Sequence, residues 1–238
     1  MRPHRASTHP SGAHPGTDVK TRGALLDVDG TLLDSNDAHA AAYGEAFAEL
    51  GIDVAFTRVR PLIGMGSEKL LPALGVQPGS RVGEHVGRRK KEIFTQRFLP
   101  TLKPFHGARD LLLHMKKRGL RLTVATSAEG DELHGLLRAA RIEDLVDAAS
   151  TSSDAAASKP DPDIVQAAIR RSRLKREELV MLGDTPYDVQ AAVRAGVAIL
   201  AMRTGGWSDR ELAGAAAVYE DPADLLERYD ESLLAARR

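Results

Sequence analysis

The sequence predicts an α/β fold, in which a parallel β-sheet is covered by helices and an all-helical segment is inserted after the first strand. Two observations lead to this prediction. Short apolar stretches typical of buried strands alternate with amphipathic helical stretches, a pattern that requires parallel strands joined by right-handed crossovers. The alternation is interrupted once, between about residues 36 and 103, where the chain shows helical periodicity and no strand-like pattern.

The first predicted strand contains Leu25 and Leu26 and is followed by two aspartates one residue apart, Asp27 and Asp29. A run this short and this apolar suits a strand buried on both faces, and the glycine that follows marks the turn out of the sheet. An isolated Asp-x-Asp is also typical of an acidic loop that merely caps a strand. Ligands of open α/β sheets, however, bind outside the carboxyl ends of the strands, where these two carboxylates are expected.

Apolar spacing predicts helices over 37–50, 57–63, 67–74 and 81–98 in the interrupting segment. After residue 104, helices and strands alternate. The predicted strands there are 120–126, 146–149, 179–183, 197–201 and 217–219, and the predicted helices are 108–115, 133–140, 164–169, 189–196 and 222–235.

The interrupting helices are best explained as a small domain inserted into the loop that carries the two aspartates, where it would fold over the strand ends. We therefore expect an α/β core formed by 23–36 and 104–238 and a helical cap at 37–103. Residues 1–22 are rich in Pro, Gly, Ser and Thr and lack an apolar segment, which predicts a disordered tail. The histidines of that stretch, His4, His9 and His14, are spaced irregularly, so a solvated tail is favoured over a metal site.

Composition excludes several classes of function. Of the 238 residues, 33 are Lys or Arg and 33 are Asp or Glu, and no basic run with interleaved aromatics suggests a nucleic-acid partner. The absence of cysteine excludes disulfides, thiolate catalysis and zinc-cysteine sites, and it is compatible with a reducing compartment. No apolar run approaches the roughly 20 residues of a membrane helix. We expect a cytoplasmic protein, a monomer or weak homodimer, with neither a nucleic-acid nor a membrane partner.

Further polar residues follow the other predicted strands or precede a helix at the same edge of the sheet. Each has an ordinary structural interpretation as a helix cap, a solvated loop lysine or a first-turn acid. Those interpretations do not explain why all of them, together with the aspartate pair, map to one edge. These residues are Thr126, Ser127, Lys159, Asp184 and Asp188.

Four acids that converge on one crevice, Asp27, Asp29, Asp184 and Asp188, repel each other and stay ionised together only around a cation. Ligation by oxygen atoms alone suits Mg²⁺, which keeps several waters and binds phosphate oxygens. A hydroxyl, backbone amides and a lysine beside such a metal are the donors that phosphoryl transfer requires. The usual glycine-rich nucleotide-phosphate loops are absent from the sequence.

With these residues assembled, the chain resembles the haloacid dehalogenase-like hydrolases, in the subfamily that carries an α-helical cap after the first motif and includes phosphoglycolate phosphatase and β-phosphoglucomutase. The likeness extends from Gly23 to about Tyr229 and implies a Rossmann-like parallel-sheet core. Four motifs carry it in order, namely Asp27-Val28-Asp29-Gly30-Thr31, Thr126, Lys159 and Gly183-Asp184-Thr185-Pro186-Tyr187-Asp188.

The resemblance implies that Asp27 is a nucleophile that forms an aspartyl-phosphate and that Asp29 is the general acid and base. The chemistry of the residues agrees, because a carboxylate that attacks phosphorus divides hydrolysis into two steps. A second acid two residues on projects from the same side of the strand and is placed to serve the leaving oxygen and then the water. The dehalogenases of the family lack an acid at the position of Asp29, so this residue indicates phosphoryl chemistry.

The resemblance also implies that Thr126 binds the transferring phosphoryl group, with Ser127 beside it, and that Lys159 offsets charge on nucleophile and phosphate. Asp184 would ligate Mg²⁺ together with Asp27 and the main-chain carbonyl of Asp29. Asp188 is expected either as a ligand or as an acceptor for metal-bound water.

His39 falls where the mutase has a histidine near the hinge of the cap, which implies a substrate-binding role. A lone histidine in a helix is more often an exposed or capping side chain. Both interpretations stay open at this point.

The expected activity is Mg²⁺-dependent hydrolysis of a small phosphorylated metabolite. A sugar-phosphate mutase is the alternative, but the cap arginine with which β-phosphoglucomutase holds a second phosphate aligns with Ser67, unless Lys69 or Arg60 substitutes for it. Two alternatives of other classes are a phospho-accepting signalling module, which would be shorter and lack the cap, and a metal-binding domain without turnover, although every catalytic position is retained.

Overall fold

A computed structural model describes residues 20–128 and 130–235 of the chain. The predicted disordered tail, 1–22, lies outside the described residues except for its last three positions, and so do His4, His9 and His14. In the described part of the chain, no helix combines the length and the apolar character needed to span a bilayer.

The predicted α/β fold with a parallel sheet is confirmed. Among the described residues, six strands form one sheet in the order β3-β2-β1-β4-β5-β6, and every neighbouring pair is parallel. The strands are β1 Gly23–Leu26, β2 Arg121–Ala125, β3 Ala148–Ser150, β4 Leu179–Gly183, β5 Ala198–Met202 and β6 Ala217–Tyr219.

The register of the three central strands decides where the polar residues lie. Leu26 at the end of β1 is aligned with Val124 of β2 and Leu182 of β4. The residues that follow these strands therefore leave the sheet at the same edge, which brings Asp27, Thr126 and Asp184 to one place.

Helices follow the strands as the periodicity predicts. The segment between β1 and β2 contains α1 Asn36–Ala48, α2 Phe56–Val59, α3 Ser67–Ala73, α4 Arg81–Ile93 and, just before β2, α5 Ala108–Lys117. The later helices are α6 Gly130–Ala139, α7 Asp163–Ser172, α8 Pro186–Ala195 and α9 Pro222–Glu227.

Two apolar clusters cover the two faces of the sheet, and successive residues of β1 supply them in turn. Leu26 belongs to a cluster that continues without a break into α1 and α4, whereas Leu25 packs with residues of α7 and α8. Because the sheet and the helical segment share this continuous apolar cluster, the helical segment packs directly above the edge of the sheet. Its treatment as a separate cap domain over 37–103 stays a prediction.

Several helix ends differ from the sequence prediction, and the helix predicted over 57–63 is α-helical only over Phe56–Val59 and continues as a 3-10 turn over Arg60–Leu62. The helix predicted to reach residue 98 is α-helical only to Ile93 and then widens into a π-turn over Phe94–Phe98. The closing helix ends at Glu227 and not at 235. A 3-10 turn follows at Tyr229–Glu231, and beyond it the Ser232 hydroxyl bonds to the carbonyl of Tyr229 and accepts from the amide of Leu234. Leu50, placed by its spacing on the buried face of α1, lies after the end of the helix and is 38% exposed.

Candidate active site

Three carboxylates meet at the edge where β1 and β4 end. Oxygen atoms of Asp27, Asp184 and Asp188 all lie within 4.8 Å of one another, and all three residues are buried. Asp27 and Asp184 directly follow the strands, and Asp188 lies in the first turn of α8. The predicted convergence of acids is therefore present for these three residues.

Asp188 is fixed by the start of its own helix. Its Oδ2 accepts from the amide of Thr185 at 3.0 Å and from the hydroxyl at 2.6 Å, while its own amide donates to the Thr185 hydroxyl at 3.2 Å. This reciprocal capping box is the ordinary structural interpretation of the acid, and it holds. It engages one carboxylate oxygen and leaves Oδ1 pointing at the acidic group.

Lys159 is the cation of the site. Its Nζ lies 2.7 Å from Oδ1 of Asp188 and forms a hydrogen bond and ion pair with Oδ1 of Asp27. The interpretation as a solvated loop lysine is wrong, since only 2% of the residue is exposed. Burial alone would lower the pKa of Lys159, but Asp188 and Asp27 raise it above its usual range, so the side chain is charged.

Asp184 is surrounded by neutral donors. The Thr31 hydroxyl lies 2.9 Å from its Oδ1, and the side-chain amide of Asn36 donates to Oδ2 at 2.8 Å. The carboxylate also packs tightly on Gly30, where a Cβ atom would lie 2.2 Å from Oδ2. Only a glycine leaves room for Asp184 at this point of the first motif.

The three acids suit a divalent cation. Burial, only partly offset by Lys159, raises the pKa of Asp27 to about 7, and burial together with Asp188 and Asp27 raises the pKa of Asp184 well above its usual range. Raised pKa values mean that the negative charges lack sufficient positive charge nearby. A cation held by Asp27, Asp184 and Asp188 would supply it with the oxygen ligands that hard metal ions prefer.

Asp29 lies apart from this group. Its carboxylate accepts from the Ser35 hydroxyl at 2.6 Å and lies 3.0 Å from Nε2 of His39, and its side chain is 20% exposed. Burial alone would raise its pKa, but His39 and Ser35 hold the pKa of Asp29 below its usual range. The expectation that all four carboxylates crowd together is corrected, because the side chain of Asp29 turns toward α1.

His39 is buried, and its interpretation as an exposed side chain is wrong. Besides its contact with Asp29, its ring stacks on Phe94 with centroids 3.8 Å apart. Phe94 begins the π-turn that follows α4. The histidine thus joins Asp29 to the far end of the helical segment.

Thr126 and Ser127 follow β2 at the same edge. Thr126 is buried, and its hydroxyl accepts from the amide of Ala128 at 3.1 Å, a local turn contact and not the helix cap of its ordinary interpretation, since α6 begins only at Gly130. The hydroxyl oxygen of Ser127 is buried and has no hydrogen-bond partner among residues 20–128 and 130–235. Both residues line the cavity that contains Asp27.

That cavity has a volume of about 400 Å³ and lies between the sheet edge and the helical segment. The candidate residues on its wall are Asp27, Asp29, His39, Thr126, Ser127 and Lys159, and the helical segment contributes Tyr43, Ile63, Met65, Ser67, Lys90 and Lys91. The cavity therefore joins the acidic group to residues that are distant in sequence.

Sequence reasoning missed four charged residues of the wall, Glu68, Lys90, Lys91 and Glu132. Nζ of Lys90 lies 3.6 Å from Oε1 of Glu132 and 5.5 Å and 5.1 Å from the ring centroids of Tyr43 and Phe94. The two lysines belong to the basic run 88–91, which has the pattern of a solvated helix face. The amphipathic pattern of α4, which gives the helix a hydrophobic side, is the sequence signal that part of this run faces inward.

Lys69 and Arg60, the two possible substitutes for a cap arginine, are engaged elsewhere. Lys69 donates to the carbonyl of Ser158 at 2.6 Å and to Asp161 at 2.5 Å. Arg60 bonds to Asp37 at 2.5 Å and to the carbonyl of Gly205 at 3.1 Å. Ser67, the aligned position, hydrogen-bonds to the hydroxyl of Tyr43 at 2.7 Å.

Comparison with known proteins agrees with this geometry. The family model described as haloacid dehalogenase-like hydrolase matches residues 24–202. The chain is 30% identical to protein CbbY of Cereibacter sphaeroides over 214 residues, covering 84% of this chain and 92% of that protein. It is 27% identical to a phosphoglycolate phosphatase of Nitrosospira multiformis over 211 residues, covering 86% of this chain and 90% of that protein.

A longer relative and a solved structure extend the comparison. Protein SUPPRESSOR OF QUENCHING 1 of Arabidopsis thaliana is 32% identical over 192 residues, which cover 78% of this chain but only 18% of that protein. A crystal structure of a hydrolase from Pseudomonas syringae superposes with a TM-score of 0.82 at 31% identity, covering 89% of this chain and 99% of that chain.

The chain therefore belongs to the haloacid dehalogenase-like hydrolase family. Within that family it falls in the subfamily of the phosphoglycolate phosphatases, CbbY and β-phosphoglucomutase-like proteins, and it is a hydrolase of the phosphatase type. The resemblance read from the motifs is confirmed at this level.

Crowding of buried acids predicts how the metal-free protein responds to pH. Because the pKa of Asp27 rises from 3.8 to about 7 on folding, ionisation of Asp27 above pH 7 destabilises the folded state, and this penalty disappears as pH falls toward 4. In EDTA, Asp27→Asn should therefore melt at a higher temperature than the wild type at pH 8. The difference is on the order of a few kcal/mol in the free energy of unfolding, and it should shrink at pH 5.

Thermal unfolding followed by circular dichroism measures this difference. Asp34→Asn removes an exposed carboxylate from the same segment and should leave the melting temperature unchanged at both pH values. If Asp27→Asn lowers the melting temperature at pH 8 in EDTA, the acids are not under electrostatic stress.

Proposed function

We propose that the protein is a Mg²⁺-dependent phosphatase that hydrolyses a small phosphorylated metabolite through an aspartyl-phosphate on Asp27. One observation carries the proposal: Asp27 belongs both to the three-carboxylate group and to the wall of the cavity. A substrate phosphate in that cavity would meet a carboxylate nucleophile at the point where a metal ion would sit. Mg²⁺, when held by Asp27, Asp184 and Asp188, supplies positive charge that lowers the repulsion between carboxylate and phosphate.

In the first step, an oxygen of Asp27 attacks phosphorus and the bond from phosphorus to the ester oxygen breaks. Asp29 delivers the proton that the departing alkoxide takes up. Nε2 of His39 lies 3.0 Å from the carboxylate of Asp29, close enough to exchange this proton with it. The pair of Asp29 and His39 is therefore the proton carrier, and Phe94 keeps the imidazole in place by stacking.

In the second step, Asp29 takes a proton from water, and the water oxygen attacks phosphorus and displaces the carboxylate of Asp27. Inorganic phosphate and free Asp27 are the products. Lys159, Thr126 and Ser127 would hold the phosphoryl oxygens in both steps, and the buried, unpartnered hydroxyl of Ser127 is available for such a bond. Asp188 keeps Lys159 charged and directed at the site.

A phosphatase is favoured over a mutase because the wall carries no guanidinium for a second phosphate among the described residues. Lys90 and Lys91 are the cations that could serve a mutase, which is why this alternative needs its own assay. The charge of Lys90 is partly neutralised by Glu132. We further infer a cytoplasmic enzyme, a monomer or weak homodimer, without nucleic-acid or membrane partners, from composition and charge balance.

The nucleophile assignment predicts that Asp27→Asn abolishes turnover of p-nitrophenyl phosphate in Mg²⁺, by at least about 10³-fold, because an amide has the same shape but cannot form the phosphoenzyme. Release of p-nitrophenolate measures it. Asp34→Asn should retain wild-type kcat. Substantial turnover by pure, folded Asp27→Asn protein contradicts the assignment.

The metal assignment predicts that Asp184→Asn raises the Mg²⁺ concentration for half-maximal activity by about 10-fold or more, since it removes one charged ligand. Ca²⁺ should inhibit the wild type, because its longer bonds and looser geometry misplace nucleophile and phosphorus. Titration of Mg²⁺ with and without Ca²⁺ tests both expectations. Activity that survives EDTA rules out the carboxylate-metal interpretation.

The preference for hydrolysis predicts that water captures the aspartyl-phosphate and that free phosphate is the main product. The assay supplies a hexose 1-phosphate with a bisphosphate primer and compares formation of the 6-phosphate with release of phosphate. If isomerisation outruns hydrolysis, the protein is a mutase that holds its second phosphate with Lys90 or Lys91. Loss of the isomerisation in Lys90→Met or Lys91→Met would then identify the residue.

A further inference from the structure

A second cavity, of about 470 Å³, lies at the opposite edge of the sheet from the acidic group, where the strands begin. It is bounded by the start of β2, the start of β3 and the end of α7. Because β2 begins at Arg121 and Thr126 follows its other end, the two cavities are separated by about 15 Å along the strand. Four arginines line it, Arg121, Arg170, Arg171 and Arg173, and we call it the arginine cavity.

Most of the positive charge in the arginine cavity is unbalanced. Arg171 pairs with Asp154 at 2.6 Å, but the side chains of Arg121, Arg170 and Arg173 form neither a hydrogen bond nor an ion pair with any other residue that the structure describes. Asp147, the one acid on this wall among the described residues, is held by Lys116 at 2.6 Å and by a backbone amide at 2.8 Å, and it also interacts electrostatically with Arg121. Several arginines elsewhere in the described part of the chain are paired with carboxylates, as seen for Arg89, Arg109, Arg203 and Arg228.

Arg121 is the least ordinary of the four. Its Nε is buried and has no hydrogen-bond partner within the described ranges. A guanidinium N–H withdrawn from water without an acceptor is costly, and an oxyanion in the cavity would satisfy it. A bound anion with planar oxygen pairs also matches the fork of a guanidinium.

Attraction to a helix C-terminus explains only part of this arrangement. Arg170 and Arg171 lie in the last turn of α7, where a positive charge complements the helix dipole. Arg121 lies at the start of β2 and not in that last turn. Arg173 follows the helix in the left-handed conformation, with φ 57°, where glycine is the favoured residue.

We propose that the arginine cavity binds a small anion that carries two phosphate groups, at a site separate from the catalytic one. Four guanidinium groups around 470 Å³ exceed what a single phosphate can engage. A concave site in a chain with zero net charge and 4% aromatic residues favours a small molecule over a nucleic acid, which needs an extended basic surface and stacking residues.

The experiment uses inorganic pyrophosphate as the probe and isothermal titration calorimetry on the full chain in EDTA. One pyrophosphate per chain is expected, with affinity reduced at least 10-fold in both Arg121→Gln and Arg173→Gly. Arg210→Gln removes an exposed arginine that has no ion pair and lies outside the cavity, and its affinity should stay within 2-fold of wild type. Absence of binding, or equal loss in Arg210→Gln, overturns the proposal.

The Arg173→Gly variant is included because it is expected to fold, so that a loss of binding cannot be attributed to misfolding. Glycine adopts the left-handed conformation without strain, so this variant should melt no lower than the wild type while it loses pyrophosphate. Binding that is unchanged in Arg121→Gln and Arg173→Gly places the anion elsewhere, including the catalytic cavity, and overturns the proposal.

Two further probes test the class of ligand. Orthophosphate should bind at least 10-fold more weakly than pyrophosphate, because it reaches fewer guanidinium groups, and equal affinity contradicts a site for two phosphates. A single-stranded oligonucleotide should not bind. An oligonucleotide that binds more tightly than pyrophosphate and is lost in Arg173→Gly would show a nucleic-acid surface and overturn the small-anion assignment.

Discussion

The interaction on which the site depends is the contact of Lys159 with Asp27 and Asp188. Three buried carboxylates at one sheet edge repel each other, and a single buried ammonium group offsets only part of that charge. The remaining deficit is visible as the raised pKa values of Asp27 and Asp184. Because the strands are parallel and in register, they end at the same edge of the sheet. This alignment brings the carboxylates close enough to repel each other, and it also places them close enough to act on one substrate.

Much of this could be predicted from the sequence because it depends on local periodicity. Short apolar runs marked the strands, and the residues that follow them fell at one edge by the geometry of a parallel sheet. Lys159 was placed correctly by the resemblance, whereas its local context of two prolines indicated a solvated loop. The ends of α4 and α9 could not be predicted, because in each case the chain continues in a different helical form, a π-turn after α4 and a 3-10 turn after α9, whose side-chain pattern resembles that of an α-helix.

The residues that sequence reasoning missed are those that act across long separations in the chain. Lys90 and Glu132 meet between a helix of the inserted segment and one of the sheet layer, and nothing near either residue signals the contact. Asn36 binds Asp184 across 148 positions. Asp29 was grouped with the other acids because spacing along a strand does not reveal that Ser35 and His39 draw its side chain away.

The side chain of Asp188 has two roles, because it caps the start of α8 and it also holds Lys159. Stability and activity, which these two roles serve, conflict in most enzymes. Active-site acids are commonly stressed in the folded state, so their loss trades activity for stability. Asp27 follows that rule, but one oxygen of Asp188 starts α8 while the other holds Lys159. A substitution at position 188 would therefore disturb both the start of α8 and the contact that holds Lys159. A lineage that abandoned catalysis would be expected to lose Asp27 early and to keep Asp188.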